Sequence, residues 1–230
     1  MIIAVTAAEL AAATEYMPLP DWYNRVKDWA ERSCTQFLQD NTVLSATKSH
    51  RLLKLGECTG GWDQEGNNPS HHAPAHYRIM RDFQESMNNL RPYQLPPLGG
   101  QSLKEAWNML IETSYSFLDA AHCEASGLVP NRAMVTEVDN MVKLIKGDFP
   151  TEDIAPNEFG EEASRTLWRV TFDSIVFPKQ AGKQAKQLLQ PFLDNMVDSF
   201  DPVPYNSWEF FKLGSVSCSL VFIGLMKMFF

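Results

Sequence analysis

The sequence predicts an all-α protein of six or seven helices, joined by loops too long for a simple bundle. Long loops over paired helices suit a toroid of helical hairpins. Three observations predict this. Apolar residues recur at spacings of three and four along several stretches. Helix-start signals precede those stretches, the clearest being Ser102-Leu103-Lys104-Glu105. There the serine caps one backbone N–H and the glutamate reaches back to another. Strand signals are weak, limited to Thr42–Leu44 and Leu128–Val129, and no short-period repeat marks a regular solenoid.

Taken in order, the first helix reads from Ala4 to Tyr16. After Pro18 and Pro20, Asp21 is placed to cap a second helix to about Gln39, with Trp22, Val26, Trp29, Ser33 and Phe37 on one face. Residues 56–70 form a glycine- and asparagine-rich loop. Pro74 suits a helix start, where no backbone donor is needed, and Tyr77, Met80 and Phe83 share one side of the helix that follows, to about Met87. The run RPYQLPPLGG (91–100) breaks the pattern before the capping box. The next helix carries Leu103, Trp107, Leu110, Ser114, Phe117 and Ala121. Residues 126–160 read as irregular. A helix over Glu161–Phe177 shows Ala163, Leu167, Val170, Ser174 and Phe177 on one stripe. Another runs from Lys183 to Phe200, kinked or split by Pro191.

The 230 residues are read as one domain, and 44 % hydrophobic content supplies a core. A net charge of −8 without any basic run argues against a nucleic-acid partner, whose phosphates require clustered Lys and Arg. It is compatible with neutral ligands such as sugars. The four cysteines, Cys34, Cys58, Cys123 and Cys218, form no C-x-x-C pair and read as buried free thiols. The N-terminus lacks a basic region and carries Glu9 and Glu15, unlike a signal peptide. The apolar C-terminal run VSCSLVFIGLMKMFF carries Lys227 and is shorter than the roughly 20 residues a spanning helix needs. It reads as a buried terminal element, with no membrane partner.

The stretch GECTGGWDQEGNNPSHHAPAHYRIM (56–80) concentrates the special residues. His72 and His76 are four apart, the spacing of a metal pair completed by Glu57 or Cys58. Pro74 lies between them and the zincin pattern is absent, so they are read as lining a polar cleft or bonding loop backbone, with no metal. Glu57 and the pair Glu161 and Glu162 are the carboxylates of interest. An acid in the first turn of a helix ordinarily complements the helix dipole. Cleavage of a glycosidic bond instead needs one carboxylic acid to protonate the leaving oxygen and a second carboxylate as base or nucleophile. Trp62, Trp168 and Trp208 are candidate platforms for sugar rings. Trp168 falls among apolar helix positions, whereas Trp62 sits in a glycine loop, where a large aromatic is harder to explain as core. No phosphate-binding loop and no G-x-S-x-G elbow occurs, and no cofactor is implied.

In this order the features resemble glycoside hydrolase family 8, whose members include endo-β-1,4-glucanases, chitosanases, xylanases and lichenases. Gly56-Glu57-Cys58-Thr59-Gly60-Gly61 followed by Asn68-Pro69-Ser70-His71-His72-Ala73-Pro74-Ala75-His76-Tyr77-Arg78 resembles the family's Gly-Asp-Ser-Trp-Gly-Gly loop and Asn-Pro-Ser-Tyr-x-Ala-Pro-Ala-x-Tyr-Arg segment. Ser126-Gly127-Leu128-Val129-Pro130-Asn131 is similar to its Thr-Gly-Leu-Val-Pro-Asp. Glu162-Ala163-Ser164-Arg165-Thr166-Leu167-Trp168-Arg169 is similar to its Asp-Ala-x-Arg-x-x-Trp-Arg helix start, and Val221–Gly224 is a weak echo of its last inner helix.

The resemblance implies an (α/α)6 toroid, an inverting endo-acting β-1,4-glycosidase and a polysaccharide partner. Glu162 stands at the position of the base, held ionised by Arg165, with Glu158 or Glu161 as alternative bases. Glu57 is implied to help bind and distort the central sugar, with Trp62 and Tyr77 lining the cleft. Both acidic positions hold Glu where the family has Asp. The family's general acid lies in a Ser-Glu-Gly-x-Ser-Tyr-Gly motif that does not occur here. The chain is therefore expected to be an incomplete toroid, roughly its second half, inactive alone and exposing apolar helix faces. By resemblance the intact protein is secreted or periplasmic. A non-catalytic carbohydrate-binding remnant, or another helical-toroid enzyme such as a polysaccharide lyase, are the other readings.

Overall fold

The computed structural model describes residues 1–13, 18–64, 66–90, 98–124, 126–145 and 159–199. In chain order these form α1 (Ile2–Ala13), α2 (Tyr23–Asp40), β1 (Thr42–Leu44), β2 (Arg51–Leu53), a 3₁₀ turn (Pro69–His71), α3 (Pro74–Leu90), α4 (Leu103–Ala121), β3 (Met134–Val138), β4 (Met141–Ile145), α5 (Glu161–Val176) and α6 (Pro178–Ser199). Consecutive helices pack as three hairpins, α1 on α2, α3 on α4 and α5 on α6. The odd-numbered helices also touch in series, α1 to α3 to α5, and the even-numbered ones likewise. The result is two concentric-type layers of helices, the organisation expected of a helical-hairpin toroid.

Local chemistry places the helix starts. The capping box at α4 forms in full: Ser102 Oγ accepts from the Glu105 N–H, and the Glu105 carboxylate accepts from the Ser102 N–H. Pro74 opens α3 as expected. At α2 the expectation fails. The cap position is Trp22, no side chain caps the helix, and Asp21 plays no part. The buried face of α2 is also rotated from the expected stripe, to Tyr23, Ala30, Glu31, Cys34, Thr35 and Leu38, while Trp22 and Trp29 are 40 % and 50 % exposed. Pro191 lies inside α6, which starts at Pro178, earlier than expected.

The core centres on Trp107, fully buried between the rings of Phe37 and Tyr77. Its indole N–H donates to Gln84 Oε1 (2.7 Å), and Gln84 Nε2 donates to Thr35 Oγ1 (2.9 Å). One indole thus joins α4 to α3 and α2, which satisfies a donor that would be costly to bury alone. Burial also pushes the Cys34 thiol up to about 12. Of the other cysteines, Cys58 is exposed and Cys123 half-buried, so the expectation of buried thiols holds only for Cys34; Cys218 lies outside the described residues.

Two small antiparallel hairpins decorate the helices. β1 was expected, but its partner β2 was not. The β3–β4 hairpin replaces irregular structure expected over 126–160. Its turn residues, Asp139 and Asn140, both have positive φ (52° and 58°), as a tight two-residue hairpin turn requires. Glu137 on β3 ties the two hairpins together. Its carboxylate accepts from Thr47 Oγ1 (2.8 Å) and lies 2.7 Å from His50 Nδ1. Burial pushes this carboxyl up, but hydrogen bonds from Ser49, His50 and Thr47 outweigh it and draw it down to about 2. A lowered carboxyl stabilises the fold above its unfolded value of about 4.3, and that contribution is lost as pH falls towards 2. The stability gap between wild type and Glu137→Gln should therefore narrow between about pH 5 and pH 2, measured by melting temperature across that range. A gap independent of pH would contradict the assignment.

Candidate active site

The site grows from the loop that precedes α3. Gly60 has φ +77°, and an added Cβ would lie 2.6 Å from the Leu55 backbone nitrogen, so only glycine fits. The loop closes on itself through Asn67, whose amide donates to Gly61 O (2.9 Å) and accepts from Gly61 N (2.9 Å). It is then strapped to the β3 region, where Ala133 N donates to Asn67 O (2.8 Å) and Asp63 N to Val135 O (2.9 Å). Asn68 follows, and its side chain serves two masters. Its Oδ1 accepts from Ser70 N (2.8 Å), capping the 3₁₀ turn, and its Nδ2 donates to Glu162 Oε2 (3.2 Å).

Glu162 sits in the first turn of α5. Arg165, one turn on, grips both carboxylate oxygens: Nη2 to Oε1 at 2.8 Å and Nη1 to Oε2 at 3.0 Å. The bidentate fork fixes the orientation of the carboxylate. The pair is not sealed off, with side chains 26 % and 39 % exposed, so water reaches the carboxylate. The start of α5 is set by Asn131, whose Oδ1 accepts from the Ala163 N–H (3.1 Å). This residue caps the helix from a distant loop, in place of a local cap. It also explains Gly160, where a Cβ would lie 2.8 Å from Asn131 Nδ2.

His71, on the 3₁₀ turn, faces the same group. Burial lowers its pKa, Arg169, Arg132 and Arg165 lower it further, and Glu162 opposes them. Arg169 anchors the turn through Nη1 to the Ser70 carbonyl and lies 5.6 Å from the ring of Trp168. Trp168 is 40 % exposed beside His76 and Phe172, so its apolar helix register does not make it a core residue.

The structure thus brings Glu162 and Arg165 together with Asn68, and sets His71 and Arg169 beside them. It does not bring Glu57 to them. Glu57 is exposed in a turn from Gly56 to Thr59, and only its carbonyl is engaged, by Lys54 Nζ. Trp62 is half-buried against the core; its indole N–H donates to Val43 O (3.3 Å), and its edge meets His50. Tyr77 corrects the expectation of a cleft wall. Its ring is 3 % exposed between Phe37 and Trp107, and its hydroxyl donates to His71 O (3.3 Å), so it supports the site from beneath. His72 is buried on Ser114 and Phe117, whereas His76 lies beside Trp168 and Phe172. Among the described residues no three His, Cys, Asp or Glu side chains converge as a metal-holding group, and no helix is long and apolar enough to cross a membrane. Glu158, Trp208 and Val221–Gly224 lie outside the described residues, as does the side chain of Glu161.

Asn68 and Asn131 are the residues whose contacts with the start of α5 the sequence does not reveal. The signal was present, since both lie in the quoted motifs, but their targets are 94 and 32 residues away.

No protein-family model matches the chain. No curated protein matches it either. Solved structures do. The apo β-1,3-1,4-glucanase from Paenibacillus sp. X4 aligns with TM-score 0.59 at 16 % identity, over 96 % of this chain and 50 % of that one. Rex8A from Paenibacillus barcinonensis, complexed with xylose, aligns with TM-score 0.55 at 16 % identity, over 86 % and 45 %. A reducing-end xylose-releasing exo-oligoxylanase aligns with TM-score 0.52 at 15 % identity, over 86 % and 44 %. These structures belong to the family that the sequence motifs resemble. The chain spans about half the length of the solved structures it matches. At this identity the likeness shows the fold: a helical toroid, here over about half a ring.

Proposed function

We propose that this chain is the base-bearing half of a family 8 glycoside hydrolase, an inverting endo-acting β-glycosidase of β-1,4-linked polysaccharide. The observation that carries the reading is the Glu162 carboxylate. It is gripped by Arg165 and Asn68, yet open to water, on the fold shared with a glucanase and an exo-oligoxylanase.

In an inverting reaction this carboxylate takes a proton from the water that attacks the anomeric carbon, while an acid on the other side protonates the leaving oxygen. Arg165 and Asn68 hold the carboxylate aimed, and Trp168 offers an exposed ring for a sugar face. Glu57 is proposed to help bind and distort the central sugar and Trp62 to line the cleft, from the loop before α3. The reaction belongs outside the cytoplasm, where such polymers are met. The missing acid belongs to the other half of the ring, so the chain alone should release no reducing sugar from β-glucan, xylan or carboxymethyl cellulose. Measurable hydrolysis by the purified chain would sink the half-site reading.

The open end of the ring supports this. Large exposed hydrophobic residues lie on the terminal helical hairpins, Ile3, Leu10, Trp22 and Trp29 on or beside α1 and α2 and Trp168, Ile175, Val176 and Leu193 on α5 and α6, with a further group, Val138, Met141 and Leu144, on the β3–β4 hairpin. The middle hairpin, α3 with α4, carries none among the described residues. Between α1 and α2 lies an open groove of about 720 Å³ lined by Ile3, Ala4, Ala7, Trp22, Val26 and Trp29. An apolar surface of this kind associates in water. The isolated chain should self-associate with rising concentration, and Trp22→Gln with Trp29→Gln should reduce that association in sedimentation. A monodisperse wild-type monomer with a sharp cooperative melt would count against it.

A further inference from the structure

Among the described residues, four buried polar atoms on the 3₁₀ turn, the residue after it and α5 have no hydrogen-bond partner: Ser70 Oγ, His72 Nε2, Thr166 Oγ1 and Arg169 Nε. Buried polar groups are ordinarily satisfied, so a cluster of four demands an account. Ser70, His72 and Thr166 are at most 1 % exposed. The turn packs on α5: Arg169 donates to the Ser70 carbonyl, its charge bears on His72, and Thr166 stands one turn before Arg169 on the same helix.

The proton inventory of the group can be worked out. Ser114 Oγ donates its one proton to Leu110 O (2.7 Å), so at 2.9 Å from His72 Nδ1 it must accept. His72 therefore carries its proton on Nδ1, and Nε2 is a bare acceptor. Burial agrees, pushing this imidazole down to about 3 and keeping it neutral. Arg169 Nε is a donor only, and the two hydroxyls can do either. Four such groups match a single water molecule, which gives two protons and accepts two.

We infer that Ser70, His72, Thr166 and Arg169 hold one internal water molecule that fastens the 3₁₀ turn to α5 directly behind Glu162. A buried water makes two to four such bonds, so the set is of the right size. A halide is the competing occupant, since Arg169 and two hydroxyls would suit an anion. The bare nitrogen of His72 excludes it, because it presents a lone pair. The water acts through other residues. The turn carries Asn68 and His71, and Thr166 lies one helical turn beyond Glu162, so it is a positioning device. The inference does not depend on the glycosidase reading.

Long-range ¹H–¹⁵N spectra of His72 in the whole chain provide the test. Nε2 should resonate as unprotonated and stay unchanged between chloride and acetate salts. In Thr166→Val, a change of similar shape without the hydroxyl, the Nε2 signal should move. Exchange of the Arg169 Nε–H should rise by about tenfold, the equivalent of one hydrogen bond to a charged group. Ser70→Ala should do the same if Thr166→Val does not fold. A crystal structure should show one ordered water within hydrogen-bond distance of His72 Nε2. A protonated Nε2, a chloride-dependent shift, or a hydroxyl bonded directly to Nε2 with Arg169 exchange unmoved by either variant would overturn the inference.

Discussion

Asp173→Ala should leave little folded protein. The Asp173 side chain is wholly buried, and it accepts from Arg78 Nε at 3.1 Å and from the Tyr115 hydroxyl at 2.7 Å. Arg78, itself only 7 % exposed, also donates to Gln180 Oε1 (3.1 Å). One node thus joins α3, α4, α5 and α6. Burial, and after it the Asp173 charge, push the Tyr115 phenol up, so it stays a donor. Removing the carboxylate strands a buried guanidinium, which costs about 3–5 kcal/mol. A domain has only about 5–15 kcal/mol in total. Urea unfolding should show the loss, and Arg78→Met with Asp173→Leu together should recover much of it, because that pair leaves no orphaned charge. A single variant within about 1 kcal/mol of wild type would show that the node is not sealed from water.

The second large effect is chemical and belongs to the ring completed with its proton donor. There, Glu162→Gln should lower turnover on β-glucan or xylan by about 10²- to 10⁴-fold, the usual worth of a general base. The amide oxygen can take the Oε2 place and accept from Asn68 and Arg165 Nη1, and only the Arg165 Nη2 bond is lost, so KM should change little while kcat falls. Glu162→Asp tests placement. Withdrawing the carboxylate by one methylene from its grip should cost roughly a hundredfold, as misplacement by about 1 Å does. Retention of more than a tenth of the activity by Glu162→Gln would remove Glu162 from the role of base and favour a binding function for the cleft.

Several elements were legible because their causes are local. The Ser102–Glu105 box, Pro74 and the stripe of α5 all act within one or two turns, and each formed where the residues placed it. The β3–β4 hairpin was also legible in principle. Met134–Val138 and Met141–Ile145 flank Asp139-Asn140, two residue types that tolerate positive φ, but the pair lacks the glycine of the strong hairpin signals and prolines surround it. The buried face of α2 departs from its apolar stripe for a different reason. Trp22, Val26 and Trp29 do share one side, but that side lines the open groove, and α2 buries Tyr23, Ala30, Cys34 and Leu38 instead. Periodicity finds an apolar face without saying which neighbour covers it.

The sequence by itself determined a helical-hairpin architecture, the starts of α3, α4 and α5 and the motif cluster that holds the candidate base, since these rest on contacts a few residues apart. Tertiary structure alone decided what those residues do together. Asn68 meets Glu162 across 94 positions and Arg78 meets Asp173 across 95, while Tyr77 passes from expected cleft wall to buried support. Such pairings depend on how the hairpins register against one another, and that register is set by packing the whole core, which no local pattern encodes.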